Sequence, residues 1–371
     1  MSLTRVSPRR ILVVKLSAMG DIVHALPVSA ALGRAFPQAE IIWVTHDAFL
    51  PLLDGNPWVT QVISVPRSYR KYANLTAYCR RYFGQLVQIR KLHCDVSIDL
   101  QGLAKSAVVV AAAGARTRIG HYFQRECLAR ISRPVRPNSA SMHVVDQYLD
   151  VAYSLGGERL PADFPLAVSP ADEASARELL RSAGIQPDRQ YVVINPAAGR
   201  PIKQWPAEAY AQLINRIGAE LGLPCVLVTA DMPVAGAVAC GVKGPLANIA
   251  GKTNIKQLIA ILRDSCLHIC GDTGSAHIAA AVGTPVVALF GPTDADRLAP
   301  YGQRAQVITA RHLCAPGCSP TSCRRHGERC LESITVDCVI QHVGSVLEQR
   351  RRTGPATHFE PTSAAEAAAG L

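Results

Sequence analysis

LHICGDTGSAHIAAAVGTPVVALFGPT, residues 267–293, reads as strand, turn, helix and strand in succession. LHIC is a short apolar run, GDTGS a turn, 276–282 an Ala-rich stretch without proline, and TPVVALF a second apolar run closed by Gly291 and Pro292. Such runs suit strands buried on both faces, and parallel strands need a crossover of the kind the helix supplies. The same alternation extends outward. It predicts helices over 172–183, 206–221 and 255–262, with strands over 191–196 and 225–230. Nearer the amino terminus, ILVVKL from residue 11 is a strand and SAMGD a turn. A helix over 22–36 follows, with Pro27 near its first turn. Strands over 39–46 and 62–65, an Arg-rich helix over 74–90, a strand and turn over 94–102 and a small-residue helix over 106–113 complete that series. Strands alternating with helices argue for mostly parallel sheets with helices on both faces.

A Pro-containing stretch over 160–170 separates the two series. At roughly 150 residues per domain, the 371 residues read as two α/β domains of similar size with a cleft between them. The expected division is a basic leader 1–10, a domain 11–165, a second domain 166–345 and a tail 346–371. Apolar residues at 49% and charged residues at 18% exclude disorder, collagen-like repeats and a small disulfide scaffold as descriptions of the whole chain. No apolar run reaches the roughly 18 residues a spanning helix needs, and Lys15 interrupts the first apolar run too early for a signal peptide. A cytoplasmic location is therefore expected.

Charge is unevenly placed. Between Arg67 and Arg136 stand 14 basic and 3 acidic residues, whereas the remainder holds 25 of each, so one region carries the net +11. That points to an anionic partner. Tyr69, Tyr72, Tyr78 and Tyr82 interleave with Arg67, Arg70, Lys71, Arg80 and Arg81, which keeps nucleic acid in view, although no nucleic-acid module is recognisable. Dinucleotide binding is disfavoured by the absence of G-x-G-x-x-G and Walker A patterns after the strands. Seven of the 12 cysteines are scattered. The other five, Cys314, Cys318, Cys323, Cys330 and Cys338, are spaced C-x3-C-x4-C-x6-C-x7-C, without the paired C-x2-C elements of a zinc knuckle. A structural metal there is the lesser reading, and the expectation is no metal and no cofactor.

Four motifs lie where α/β sheets bind ligands, at the carboxyl ends of strands. KLSAMGDIVH places Ser17, Gly20, Asp21 and His24 on a strand-to-helix turn. Asp21 either faces a cleft or caps the helix. GDTGSAH sets Asp272, Thr273, Gly274 and His277 at a helix start, where unpaired amides and the positive dipole end receive phosphate. Asp272 would repel a phosphate, so it suits sugar hydroxyls or the turn itself, and His277 is equally compatible with a structural role. NPAAGRPIKQWP carries Ala198, Lys203 and Trp205 before a helix opened by Pro206. Lys203 is suited to neutralising a leaving phosphate and Trp205 to packing. FGPT, ending at Thr293, closes the next strand on the same edge.

KLSAMGDIVHALP, IDLQGLAKSA, INPAAGRPIKQWP and GDTGSAHIAAAVGTPVVALFGPTDADRLAPYG resemble glycosyltransferase family 9, the lipopolysaccharide heptosyltransferases, across about residues 11–343. The first two motifs, with VPRSYRKY and RTRIGHYFQRE, are most similar to the heptosyltransferase I branch. The resemblance implies a GT-B fold of two Rossmann-like domains facing a central cleft, with acceptor bound by the first and ADP-heptose by the second. It implies metal-independent inverting transfer of L-glycero-D-manno-heptose from ADP-heptose to a Kdo residue of Kdo2-lipid A. Asp21 then matches the general base and Lys203 the phosphate-contacting lysine. Ser17, Gly20, Ala198, Asp231, Asp272, Thr273, Gly274 and His277 match the donor site, and Arg67, Arg70, Lys71, Gln101, Lys105, Arg116 and Arg118 fall in acceptor-like segments. A monomer on the cytoplasmic face of the inner membrane, touching its anionic surface and no nucleic acid, is expected. Only Asp231 is available where the family often has an acidic donor contact, and the cysteine segment is richer than in heptosyltransferase I. Another core heptose or another acceptor is therefore the first alternative. A nucleic-acid-binding protein with a degenerate sugar-nucleotide domain is the second. An epimerase of UDP-sugars shares the architecture but lacks reason for the basic region.

Overall fold

Ile11, Leu12, Val13 and Val14 have no exposed surface, which is why β1 (Arg10–Val14) is apolar without alternation. The computed structural model describes residues 7–68, 74–124, 130–186, 188–315, 318–319, 321–323 and 330–353, and the chain divides between Ala167 and Val168 into two compact units.

The first unit runs β1, α1 (Met19–Ala35), β2 (Glu40–His46), β3 (Gln61–Val65), α2 (Leu75–Lys91), β4 (Val96–Asp99), α3 (Ala104–Ala113), β5 (Thr117–His121), β6 (Arg133–Val135) and α4 (Val144–Tyr153). Its six strands are all parallel, in the order β3-β2-β1-β4-β5-β6. Ile89 of α2 and Val109, Val110 and Ala113 of α3 share a core with Leu12, Val14, Ile42, Val44, Ile63 and Val65. The alternate strand residues Ile11, Val13, Ile41 and Trp43 are equally buried, on the face that α1 and α4 cover. The strand order reverses between β1 and β4, and the carboxyl ends of those two strands flank the crevice that such a reversal opens.

The second unit repeats the plan. It contains α5 (Pro170–Ser182), β7 (Val192–Asn195), α6 (Ala207–Arg216), β8 (Cys225–Leu227), α7 (Met232–Gly241), β9 (Leu246–Asn248), α8 (Ile255–Arg263), β10 (Leu267–Gly271), α9 (Gly274–Ala281), β11 (Val286–Phe290), α10 (Ala295–Leu298), β12 (Val307–Thr309) and α11 (Val336–Thr353). Sheet order is β12-β11-β10-β7-β8-β9, again all parallel, so the reversal falls between β7 and β10. Local chemistry sets several helix starts. Ser169 accepts the Asp172 amide ahead of α5, with Pro170 at its first position, and Asn254 and Gln257 exchange hydrogen bonds at 2.8 and 2.9 Å to open α8. Trp205 is core: its indole donates to the Ile334 carbonyl at 2.9 Å and stands edge-on to Tyr210.

The structure departs from the sequence-based reading in three ways. Helix α1 begins at Met19 rather than 22, which draws Asp21 into the first turn and leaves Pro27 in the helix interior. β5, β6 and α4, and in the second unit α7, β9, β12 and α11, are elements that periodicity did not reveal. Thr117–His121 carries an arginine and is buried only in its last three residues, and α7 carries Pro and Gly, so neither shows a clean period. Last, α11 runs to Thr353, beyond the 346 boundary of the expected tail, because Val343, Val346 and Leu347 pack into the core of the second unit.

Candidate active site

Lys15, the residue after β1, is buried. Its ammonium donates to the Leu100 carbonyl at 2.9 Å and the Tyr148 hydroxyl at 2.7 Å. Burial pulls its pKa down, but Tyr148, Asp21 and Asp99 outweigh burial and hold it above the ordinary lysine value. A fixed cation therefore lies under the turn that bears Asp21. Asp21 accepts the Ala18 amide at 3.1 Å through Oδ2, so the capping contact exists, and the half-buried carboxylate also belongs to the β1 edge of the crevice. Across the reversal, Asp99 ends β4. Its Oδ1 accepts the Gln101 and Gly102 amides, both at 2.9 Å, and its Oδ2 accepts Ser106 Oγ at 2.9 Å. Burial raises the Asp99 pKa against those hydrogen bonds. The turn so held aims Gln101 back at β1: Gln101 Oε1 accepts the amides of Leu16 at 3.0 Å and Ser17 at 3.1 Å. Lys105 donates to Ser17 Oγ at 3.2 Å. His46, at the end of β2, has its pKa lowered by burial and further by the charges of Lys105 and Arg67. Ser17, Gly20, Asp21, Gln101, Lys105 and Arg67 thus belong to one carboxyl edge.

In the second unit Asp272 follows β10, Lys203 follows β7 and Thr293 follows β11. Lys203 Nζ lies 2.5 Å from Asp272 Oδ2, and Thr293 Oγ1 donates to the same oxygen at 2.6 Å. Asp272 therefore ties three strand-end loops together, with side chains 19% (Lys203) and 12% (Asp272) exposed. Gly271 packs closely beneath them, since a Cβ there would stand 3.1 Å from the Lys203 carbonyl oxygen. The Thr273 side chain makes no cap at the start of α9. The first amides of that helix accordingly keep their positive end toward the loops. Beneath, His268 Nδ1 is 3.0 Å from the Val193 carbonyl, which can only accept, so Nδ1 carries the proton and Nε2 accepts from Ser275 Oγ at 3.0 Å. Asn195 Nδ2 donates to that hydroxyl at 3.0 Å. This chain fixes the first turn of α9 to β7. His277 is buried on the same turn, and Asp231 caps α7 at the end of β8, accepting the Val234 amide at 3.2 Å.

Residues 85–326 match the family model described as glycosyltransferase family 9 (heptosyltransferase). The chain belongs to glycosyltransferase family 9. It is similar to lipopolysaccharide heptosyltransferase 1 of Pseudomonas aeruginosa, 30% identical over 85% of this chain and 87% of that protein. It is also similar to the lipopolysaccharide core heptosyltransferase OpsX of Haemophilus influenzae, 26% identical over 82% and 85% of the two chains. Among solved structures, a family 9 glycosyltransferase from Veillonella parvula superposes with a TM-score of 0.77 at 21% identity, covering 94% of this chain and all of that one. E. coli heptosyltransferase WaaC with ADP gives 0.70 at 24%, covering 91% and 99%. These two likenesses agree with the GT-B architecture.

This family 9 heptosyltransferase is an enzyme whose acceptor-like arginines do not all gather at one place. Arg70 and Lys71 lie outside the described residues. Arg116 precedes β5, at the amino edge of the parallel sheet, and Arg118 pairs in register with Ser97, with its guanidinium turned back to the Ala115 carbonyl at 3.0 Å. A parallel strand carries the chain from one edge to the other, so both stand away from the edge that holds Asp21. Gln101 is likewise a clamp on the Ser17 turn. Sequence reasoning missed Lys15, Asp99, His46 and His268. Tyr122 and Phe123 are 37% and 43% exposed at the end of β5. Among the described residues no group of three or more His, Cys, Asp or Glu is arranged to hold a metal. Cys330 is buried against Gly291, and burial with the neighbouring Cys330 pushes the Cys314 thiol up to about 11.

His268 supplies a pH test. Burial lowers its pKa from 6.5 to about 4, so between those values the unfolded chain binds more protons and stability rises with pH. Acidification from pH 6.5 to 4 should remove about 3 kcal/mol of folding stability through this group. Urea unfolding of His268→Gln should show a shallower loss over that window, and identical slopes would remove His268 from the account.

Proposed function

We propose that this heptosyltransferase acts in lipopolysaccharide core biosynthesis, moving L-glycero-D-manno-heptose from ADP-heptose to a Kdo residue of Kdo2-lipid A with inversion. The supporting observation is the Lys203–Asp272–Thr293 tie, which holds an ammonium beside the uncapped amides of α9. An inverting transfer needs stabilisation of the departing diphosphate and one base for the acceptor hydroxyl. Lys203 and the amides of Thr273 and Gly274 supply the first, and Asp21 supplies the second. Asp272 positions Lys203. Ala198, Asp231 and His277 are the further donor contacts of the second unit. Arg67, Lys105 and Gln101 border the acceptor crevice, where the cations receive Kdo carboxylates or lipid A phosphates. The enzyme works as a monomer at the cytoplasmic face of the inner membrane, and no helix among its described residues is long and apolar enough to cross it.

A second reading keeps the donor and changes the acceptor. Relatives named lipopolysaccharide heptosyltransferase 3 and 2, both from Escherichia coli, match at 28% and 27%, close to the 30% of the heptosyltransferase 1 relative. Incubation with ADP-heptose and purified Kdo2-lipid A, followed by mass spectrometry, should give a product heavier by one heptosyl residue. No such product with Kdo2-lipid A, but one with a heptose-bearing core, would select the second reading.

A further inference from the structure

Helix α2 covers the sheet of the first unit through a narrow strip, with Ile89 its one fully buried side chain. Its outer side mixes exposed apolar side chains with cations. Phe83 and Val87 are 61% and 55% exposed. Thr76, Arg80, Phe83, Val87 and Lys91 recur at intervals of three and four residues, so they share one face. Single exposed apolar residues need no explanation. Here two lie along one stripe between cations, and neither LTAYCRRYFGQLVQIRK nor the AKSAVVVAAA of adjacent α3 contains a carboxylate. α3 adds Val108, 41% exposed, to the outer surface.

We infer that the outer face of α2, continued by α3, docks the enzyme on a bilayer of anionic phospholipids, with Phe83 and Val87 entering the headgroup boundary and Arg80 and Lys91 contacting lipid phosphates. The occupant follows from charge complementarity. A helix with apolar residues among cations and no acid suits an anionic interface, whereas a solvent-facing helix of an ordinary domain mixes both signs. The location is also useful: Lys105 begins α3 and reaches Ser17 Oγ at 3.2 Å. The docking face therefore ends at the lip of the acceptor crevice, where a lipid-borne hydroxyl would arrive. This inference rests on the reading of the acceptor as a lipid glycoside.

The test is co-sedimentation of the full chain with vesicles of phosphatidylethanolamine and phosphatidylglycerol, beside vesicles of phosphatidylcholine alone. Binding to the anionic vesicles only is expected. Arg80→Gln with Lys91→Gln should lower the partition coefficient about thirtyfold, at roughly fivefold per cation. Phe83→Ser with Val87→Ser should lower it at least about tenfold. Both pairs are solvent-facing, and circular dichroism checks that they fold. Transfer to a water-soluble, deacylated acceptor should be unchanged in both. Wild-type affinity for anionic vesicles in either variant overturns the inference, as does failure of the wild type to bind them. Loss of a dimer in the variants without loss of vesicle binding would assign the face to a second copy instead. Absence of transfer to any Kdo-containing acceptor would defeat the functional reading while the vesicle measurement still decides this one.

Discussion

Asp21→Asn should lower kcat for heptosyl transfer by about 10²–10⁴-fold, the range expected when a positioned base is lost, while ADP-heptose binds nearly as before. The argument rests on what the substitution keeps. Asp21 accepts the Ala18 amide at 3.1 Å, and an asparagine carbonyl oxygen preserves that contact, so the turn and helix start survive. What disappears is the ability to take a proton. Lys15, buried and cationic beneath the turn, stays in place. The donor loops belong to the other unit, so nucleotide affinity should move little. Steady-state kinetics with a separate ADP-heptose titration checks both halves, and near-normal turnover would remove Asp21 from the role of base.

Lys203→Ala should cost about 10²–10³-fold in kcat, comparable with the loss of one preorganised group that stabilises developing negative charge, and should also weaken ADP binding. It carries a structural penalty as well. Asp272 would keep Thr293 as a partner and lose its cation, and a mostly buried carboxylate without its cation costs about 1–3 kcal/mol. The double variant Lys203→Ala, Asp272→Asn separates the two effects. Removing the charge should recover most of the urea midpoint and none of the turnover. If turnover returns with stability, Lys203 serves the loops and not the departing diphosphate.

Much of this arrangement is visible in the chain itself. The strand that ends at Gly271 and the helix that begins at Gly274 announce themselves because apolar runs, turn residues and an Ala-rich helix act over neighbouring positions. The loops carrying Asp21, Lys203 and Asp272 follow directly as strand-end segments. Elements without clean periodicity did not show. Helix α7 begins with Met-Pro and contains two glycines, and α11 is held by burial of Val339, Val343 and Val346 against the second unit, a property of its surroundings.

The meaning of side chains at the site was less legible than their position along the chain. Gln101 reads as a polar group for acceptor, yet it holds the Leu16 and Ser17 amides, because Asp99 folds the intervening turn back toward β1. Asp272 reads as a sugar ligand or a turn residue, and it is the common acceptor for Lys203 and Thr293. Arg116 and Arg118 belong to the same basic stretch as Lys105, but α3 returns the chain to the opposite sheet edge before β5 starts.

The α/β class, the division into two series and the strand-end loops bearing Asp21, Lys203 and Asp272 were thus legible in the chain alone, since periodicity, turn preference and helix starts are local. Tertiary structure decided which strand ends are neighbours, β1 with β4 and β7 with β10. It also decided that a buried Lys15 underlies Asp21, and which cations share an edge. Those depend on the direction of each crossover and on desolvation by distant segments, which no window of neighbouring residues contains.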